Sequence, residues 1–320
     1  MINWLELYQL PTLQNWQGRS DAKEDEYFFQ IIEELDLTGL HKPLLGIALL
    51  GFECDVGVQR NFGREGAKAG AQAIKKTLAR LPIHRNFDIY DAGSIVCRSD
   101  NLEEAQCALG EAVKKLLQHG LFPVVLGGGH ETAWGHYQGI VSHLGNEPLS
   151  IINIDAHFDL RSLQKPNYGT SGTPFRQIAI SCQQSQLGFN YSVIGIQRSG
   201  NINSLFTAAK DLNVNYILAD EIHENKKAVE KFIKPIIEKA KHIYLSLCMD
   251  VFASCYAPGV SAPQPLGLIP QAILPFLRQV SASGKLRSLD IVELAPNFDP
   301  DQRTTKLAAL LLSEFIHHLK

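Results

Sequence analysis

From Leu44 onward, short runs of consecutive apolar residues alternate with stretches whose apolar positions recur at helical spacing. The runs predict strands over Leu44–Leu50, Asp88–Ala92, Pro123–Leu126, Ser150–Ile154, Ser192–Gln197, Tyr216–Ala219, Ile243–Met249 and Ser288–Val292. Most are near-continuous Val/Ile/Leu segments rather than alternating ones, as expected of strands covered on both faces. Between them lie helices. Leu102–Gln118 has Asn101 as N-cap, Glu103 and Glu104 in its first turn, and Gly120 just past its end. Ala228–Lys241 and Thr305–Leu319 also carry apolar residues at helical spacing. This alternation predicts an α/β fold with a mostly parallel sheet and helices on both faces.

Residues 1–42 read differently. The segment from Ser20 to Glu26 is polar and charged, and a short apolar stretch follows before Glu33-Glu34-Leu35-Asp36. We expect an N-terminal extension packed on a core built elsewhere, with residues 1–320 forming a single domain. Composition narrows the function. Of the 320 residues, 45% are apolar, enough for a sizeable core, and the net charge of −3 lacks the basic excess of a nucleic-acid binder. No apolar run approaches the ~18 residues of a membrane span, and Met1–Glu6 has no signal-peptide pattern. The expectation is a cytoplasmic protein with no nucleic-acid or membrane partner. Its six scattered cysteines include no Cys-x-x-Cys pair, so reduced thiols are expected.

In open parallel sheets, ligands bind beyond the carboxyl ends of the strands. Four predicted strands run directly into reactive residues: Gly127-Gly128-Gly129-His130-Glu131, Asp155-Ala156-His157-Phe158-Asp159, Cys248-Met249-Asp250 and Glu293. Asp155, His157 and Asp159 have a period of two and would share one face if the strand continued, as would Cys248 and Asp250. Carboxylates with imidazole suit Mn²⁺, Fe²⁺, Co²⁺ or Zn²⁺. Three glycines could cradle a phosphate, but no Lys-Ser/Thr follows; they also allow a ligand to approach the backbone closely beside His130. Taken singly, each group also has a bland reading: a polar turn, a buried structural cysteine, a solvated acid. Their shared position argues for a site.

These segments, with Ala257-Pro258-Gly259-Val260 after Asp250 and Gly63-Arg64-Glu65-Gly66-Ala67 upstream, resemble the ureohydrolase family of arginases, agmatinases and formimidoylglutamases. The resemblance implies a three-layer αβα fold around an eight-stranded, mostly parallel sheet, and two divalent metal ions, ordinarily Mn²⁺. It assigns His130, Asp155 and Asp159 to one metal and His157, Asp155 and Asp250 to the other. Cys248 stands where arginases have a second bridging Asp; a thiolate there would favour Zn²⁺ or Fe²⁺ over Mn²⁺. The chemistry implied is hydrolysis of an amidine-like C–N bond, with Glu293 orienting the amidino N–H groups and Asp159 carrying a proton to the leaving nitrogen. The family also implies a homo-oligomer, trimer or hexamer.

Three features resemble the formimidoylglutamase branch. Arg161 takes the place of an arginase Asn and would hold a carboxylate bidentately. Ser171, in Ser171-Gly172-Thr173-Pro174-Phe175-Arg176, replaces a loop His, and Arg176 is a second candidate carboxylate contact. Arg198 and Gly200 replace acids that hold a free α-ammonium. Together they point to N-formimidoyl-L-glutamate as the small-molecule substrate, cleaved to L-glutamate and formamide in histidine degradation. Three other readings stay open on the residues: another ureohydrolase acting on arginine, agmatine or a guanidino acid; Cys248 as nucleophile of a metal-free hydrolase; and a metal-binding scaffold weakened by Cys248.

Overall fold

Among the residues that the computed structural model describes (4–84, 87–225 and 227–320), ten strands form one sheet. They are β1 (Tyr8–Gln9), β2 (Ile32–Glu34), β3 (Gly46–Glu53), β4 (Ile89–Val96), β5 (Leu121–Leu126), β6 (Leu149–Ile154), β7 (Asn190–Ile196), β8 (Asn215–Leu218), β9 (His242–Cys248) and β10 (Leu286–Val292). The order is β1-β4-β3-β5-β10-β9-β6-β7-β8, with β2 also on β4. The eight strands from β3 onward are parallel and lie within one to three residues of their predicted limits at most ends. The sheet has ten strands rather than eight because the N-terminal segment joins it. β1 pairs antiparallel and β2 parallel with β4, so the expected extension completes the sheet edge as well as covering it.

The helices are α1 (Phe28–Ile31), α2 (Val56–Arg60), α3 (Gly70–Leu78), α4 (Leu102–Gln118), α5 (Thr132–Leu144), α6 (Pro174–Gln184), α7 (Asn203–Asp211), α8 (Ala219–Glu224), α9 (Ala228–Lys239), α10 (Leu274–Ser281) and α11 (Arg303–His318). Strand side chains alternate between two apolar layers. Ile47 and Leu49 of β3 join Ile74 of α3, Ile233 of α9, Leu277 of α10 and Leu312 of α11. Ala48 and Leu50 join Leu109 of α4, Ile140 of α5, Phe175 of α6 and Leu205 of α7. Both faces of the sheet are therefore dry, which is why its strands read as unbroken apolar runs. The predicted limits of α4 are met, and Asn101 Oδ1 accepts from Glu104 N at 3.2 Å.

One buried polar knot anchors the N-terminal segment. Lys75 Nζ of α3 lies 2.5 Å from Asp91 Oδ1 of β4 and donates to the Gly93 carbonyl at 3.0 Å. Trp16 Nε1 donates to Asp91 Oδ2 at 2.8 Å. Lys75 and Asp91 are 1% and 0% exposed. No helix among the described residues is long and apolar enough to cross a membrane.

Candidate active site

The four strands that end in reactive residues are consecutive neighbours in the sheet, β5-β10-β9-β6. Their carboxyl ends therefore deliver His130, Glu293, Cys248 and Asp155 to one place. A cleft of about 310 Å³ opens there, lined by His130, His157, Asp159, Cys248, Asp250 and Glu293, with Arg161 and Ser171 on its wall.

Local backbone sets each group. Gly128 packs against β3 so closely that a Cβ would fall 1.6 Å from the Cys54 carbonyl oxygen, so only glycine lets the loop turn toward the cleft. Gly129 N donates to that oxygen at 3.1 Å. Glu293 then locks the loop from β10: its N–H donates to Gly128 O at 2.9 Å, and its Oε1 accepts from His130 N at 2.8 Å. Glu131 Oε1 accepts from Gly57 N at 2.9 Å, and Gly57 O accepts from Ser171 N at 2.9 Å, so three loops are tied together. The segment after β6 does not continue as a strand. It turns, with Asp155 Oδ1 accepting from His157 N at 2.7 Å, and Asn201 holding it by accepting from Phe158 N and donating to Ala156 O. The turn, rather than a period of two, brings Asp155, His157 and Asp159 together. Asp159 and Glu293 both have left-handed backbone, with φ of 49° and 68°.

His130 Nδ1 lies 2.9 Å from both Asp155 Oδ2 and Asp159 Oδ2, and His157 Nδ1 lies 3.1 Å from Asp250 Oδ2. Possible ligand atoms of His130, Asp155 and Cys248 lie within 4.8 Å of one another, as do those of Asp155, His157 and Asp250. Asp155 is common to both groups. Despite the short approaches, His130 Nδ1 makes no hydrogen bond, and neither does the buried Asp250 Oδ1. Buried polar atoms are ordinarily satisfied. Donors that converge without bonding one another fit two cations sharing Asp155.

The electrostatics agree. Burial works against charging His130, but Asp155 and Asp159 outweigh it and raise its pKa well above the usual histidine value. His157 is raised likewise, by Asp250 and Asp155 against burial. Burial, then Asp155 and Asp250, pushes the Cys248 thiol well up, and burial, then Glu131 and Asp250, does the same to Glu293. A pocket with this much carboxylate holds positive charge as protons or as metal, and metal binding displaces the protons.

Of the substrate contacts expected from sequence, Arg161 and Ser171 line the cleft. Arg176 lines a second, adjoining cavity of about 400 Å³ that shares Arg161, Asn61, Phe62 and Leu205 with the first. Arg198 is exposed and lines neither. The early glycine motif ties a loop to the cleft wall: Arg64 Nη2 donates to Val260 O at 2.6 Å and its Nε to Ser261 O at 3.0 Å. Three residues not singled out as site residues also matter. Asn201 shapes the Asp-Ala-His-Phe-Asp turn, and Ser246 and Asp290 stand behind His130, with Ser246 Oγ 2.9 Å from His130 Nε2. Ser246 had a legible signal, since it shares the alternation of Cys248 along β9; Asn201 had none.

The family model described as the arginase family matches residues 45–318. The chain is 46% identical over 307 residues to a formimidoylglutamase of Legionella pneumophila (strain Paris), covering 94% of each chain. It is 42% identical over 322 residues to a formimidoylglutamase of Geobacillus thermodenitrificans, covering 98% of each. The fold is similar to the crystal structure of formimidoylglutamase from Bacillus subtilis, with a TM-score of 0.82 at 23% identity, covering 93% of each chain. It is also similar to Trypanosoma cruzi formiminoglutamase with Mn²⁺, with a TM-score of 0.77 at 26% identity, covering 88% of this chain and 97% of that one. A ten-stranded αβα sheet whose neighbouring strand ends assemble two ligand groups around one shared Asp, together with these likenesses, places the chain in the arginase family.

Proposed function

We propose that this protein is a metal-dependent formimidoylglutamase, hydrolysing N-formimidoyl-L-glutamate to L-glutamate and formamide. The observation that carries the choice of substrate is the pair of guanidinium groups beside the metal cleft. Among the described residues, neither the Arg161 nor the Arg176 side chain has an ion pair or hydrogen bond, yet both line the adjoining cavity. Arg60 lines it too, but Glu103 already pairs it at 2.6 Å. Two uncommitted cations suit a substrate with two carboxylates and give agmatine nothing. The relatives named formimidoylglutamase support the same reading.

His130, Asp155, Asp159, His157, Asp250 and Cys248 would hold two divalent ions, and a relative's structure with Mn²⁺ favours that metal. When bound, such a pair lowers the pKa of a shared water and so supplies a nucleophile near neutral pH. The remaining steps belong to the chain. Glu293 accepts hydrogen bonds from the amidino nitrogens; a cationic amidine beside it supplies the charge that burial withholds from its carboxylate. Asp159 receives a proton at its carboxylate and returns it to the leaving nitrogen. Ser171, buried on the cleft wall, orients the substrate. Arg161 and Arg176 grip the carboxylates, and Arg198 remains a contact only for a longer reach. The reading includes a cytoplasmic trimer or hexamer, on family resemblance, which sedimentation would check.

The test is product identification with the Mn²⁺-loaded protein. Formamide and glutamate are expected. Ammonia with formylglutamate would mean a deiminase, and urea from arginine or agmatine would mean another ureohydrolase. Full activity after exhaustive chelation would instead support Cys248 as a metal-free nucleophile.

A further inference from the structure

We propose that His136 is a positioning residue that decides which ring nitrogen of His130 is free to bind a cation. The inference rests on the metal-binding reading of the cluster. His136 stands on α5 and is 0% exposed, as are Asp290, Ser246 and Ser288 around it. Each hydrogen in this pocket has one place. Ser288 Oγ donates to the Pro123 carbonyl at 2.7 Å, so toward His136 Nε2, 2.5 Å away, it accepts. His136 therefore carries hydrogen on Nε2. Its Nδ1 lies 2.7 Å from Asp290 Oδ2, an approach that needs a hydrogen between them. Tyr244 donates to the same carboxylate oxygen, and Ser246 Oγ donates to Asp290 Oδ1 at 2.6 Å.

With its hydrogen committed to Asp290, Ser246 accepts from His130 Nε2 at 2.9 Å. His130 then holds its hydrogen on Nε2 and its lone pair on Nδ1. Nδ1 is the atom that faces Asp155 and Asp159, and it makes no hydrogen bond of its own. Partners behind a ligating histidine commonly set its tautomer in this way. His136 is the far anchor of the chain. His136 holds the Asp290 carboxylate in the orientation that receives the Ser246 hydrogen; without it the carboxylate can swing off Ser246, whose hydroxyl is then free to turn its hydrogen toward His130 Nε2. The His130 hydrogen then moves to Nδ1, where it blocks the cation. Between Ser246 and His130 no proton is gained or lost; one hydroxyl rotates and one tautomer changes.

The experiment compares wild type, His136→Leu and His136→Asn, whose side-chain amide can stand in for Nδ1 as a donor to Asp290. Mn²⁺ titration followed by electron paramagnetic resonance should show one of the two sites weakened about 10- to 100-fold in His136→Leu, with the other kept. Affinity should return in His136→Asn. In ¹⁵N-histidine spectra of Zn²⁺-loaded wild type, both His136 and His130 should carry hydrogen on Nε2. An unprotonated Nε2 on either ring would overturn the hydrogen count without any variant having to fold. Mn²⁺ affinity unchanged in His136→Leu, or equally lost in the Asn variant, would overturn the role of His136 alone. Failure of wild type to bind either metal would overturn the metal reading of the cluster and this inference with it.

Discussion

Asp91→Asn tests how the N-terminal segment is held. The change is nearly isosteric and removes one charge from a pair that is 1% and 0% exposed. Lys75 Nζ would keep only neutral acceptors, among them the Gly93 carbonyl at 3.0 Å, and no anion. Breaking a buried pair from one side costs about 3–5 kcal/mol, because the other charge stays buried. Against a typical total stability of about 5–15 kcal/mol, that is a large share. Lys75→Met should cost somewhat less, since Asp91 would still accept from Trp16 Nε1 at 2.8 Å and Gly93 N at 3.0 Å. The double variant should cost well under the sum, because neither charge remains. Urea midpoints give the three values. Limited proteolysis should cut Asp91→Asn ahead of β3 before the core opens, since Trp16 loses its charged acceptor. Strict additivity, or single effects below about 1 kcal/mol, would refute the argument.

Further outcomes follow from the site. Cys248→Asp should shift metal preference from Zn²⁺ toward Mn²⁺, read by competition titration, because a hard carboxylate replaces sulfur; unchanged preference would exclude sulfur from the ligand set. A large gain in Mn²⁺ affinity with new activity would mean that the native site is degenerate. Glu131, pushed up to about 8 by burial, binds its proton more tightly folded than unfolded. The stability it contributes is full below the ordinary carboxyl range and fades as pH rises through about 8, so Glu131→Gln should flatten the melting temperature between about pH 5 and 9. Gly128→Ala should displace His130 and lower Mn²⁺ affinity or turnover by about 10²-fold while circular dichroism stays native-like, because its Cβ would meet the Cys54 carbonyl oxygen.

The sequence carried the strand ends clearly because of burial. Ser150–Ile154 must be dry on both faces, so the Asp155-to-Asp159 segment after it had to serve an edge. It did not carry which edges would be neighbours; β5-β10-β9-β6 is a matter of crossovers, and residues as distant as His136 and Asp290 meet only through it. β1 and β2 leave no mark on the apolar pattern because Tyr8–Gln9 and Ile32–Glu34 are too short to show periodicity and become strands only by lying against β4. The period-two reading of Asp155, His157 and Asp159 failed where Asn201 pulls the chain into a turn. Arg176 and Arg198 were equally plausible by position. Their separation depends on where loops point, which spacing does not encode.

The left-handed backbone at Asp159 and Glu293 has a cost that selection can see. A non-glycine residue there gives up about 1–2 kcal/mol that glycine would not. Asp tolerates the conformation; Glu has less reason to. Gly at 293 would relieve that cost, but it would leave the buried His130 N–H without its acceptor and remove the carboxylate proposed to face the amidine. The backbone cost at 293 is thus tied to a buried hydrogen bond that holds the glycine loop, so stabilising changes are better sought in the helices than along the rim of the cleft.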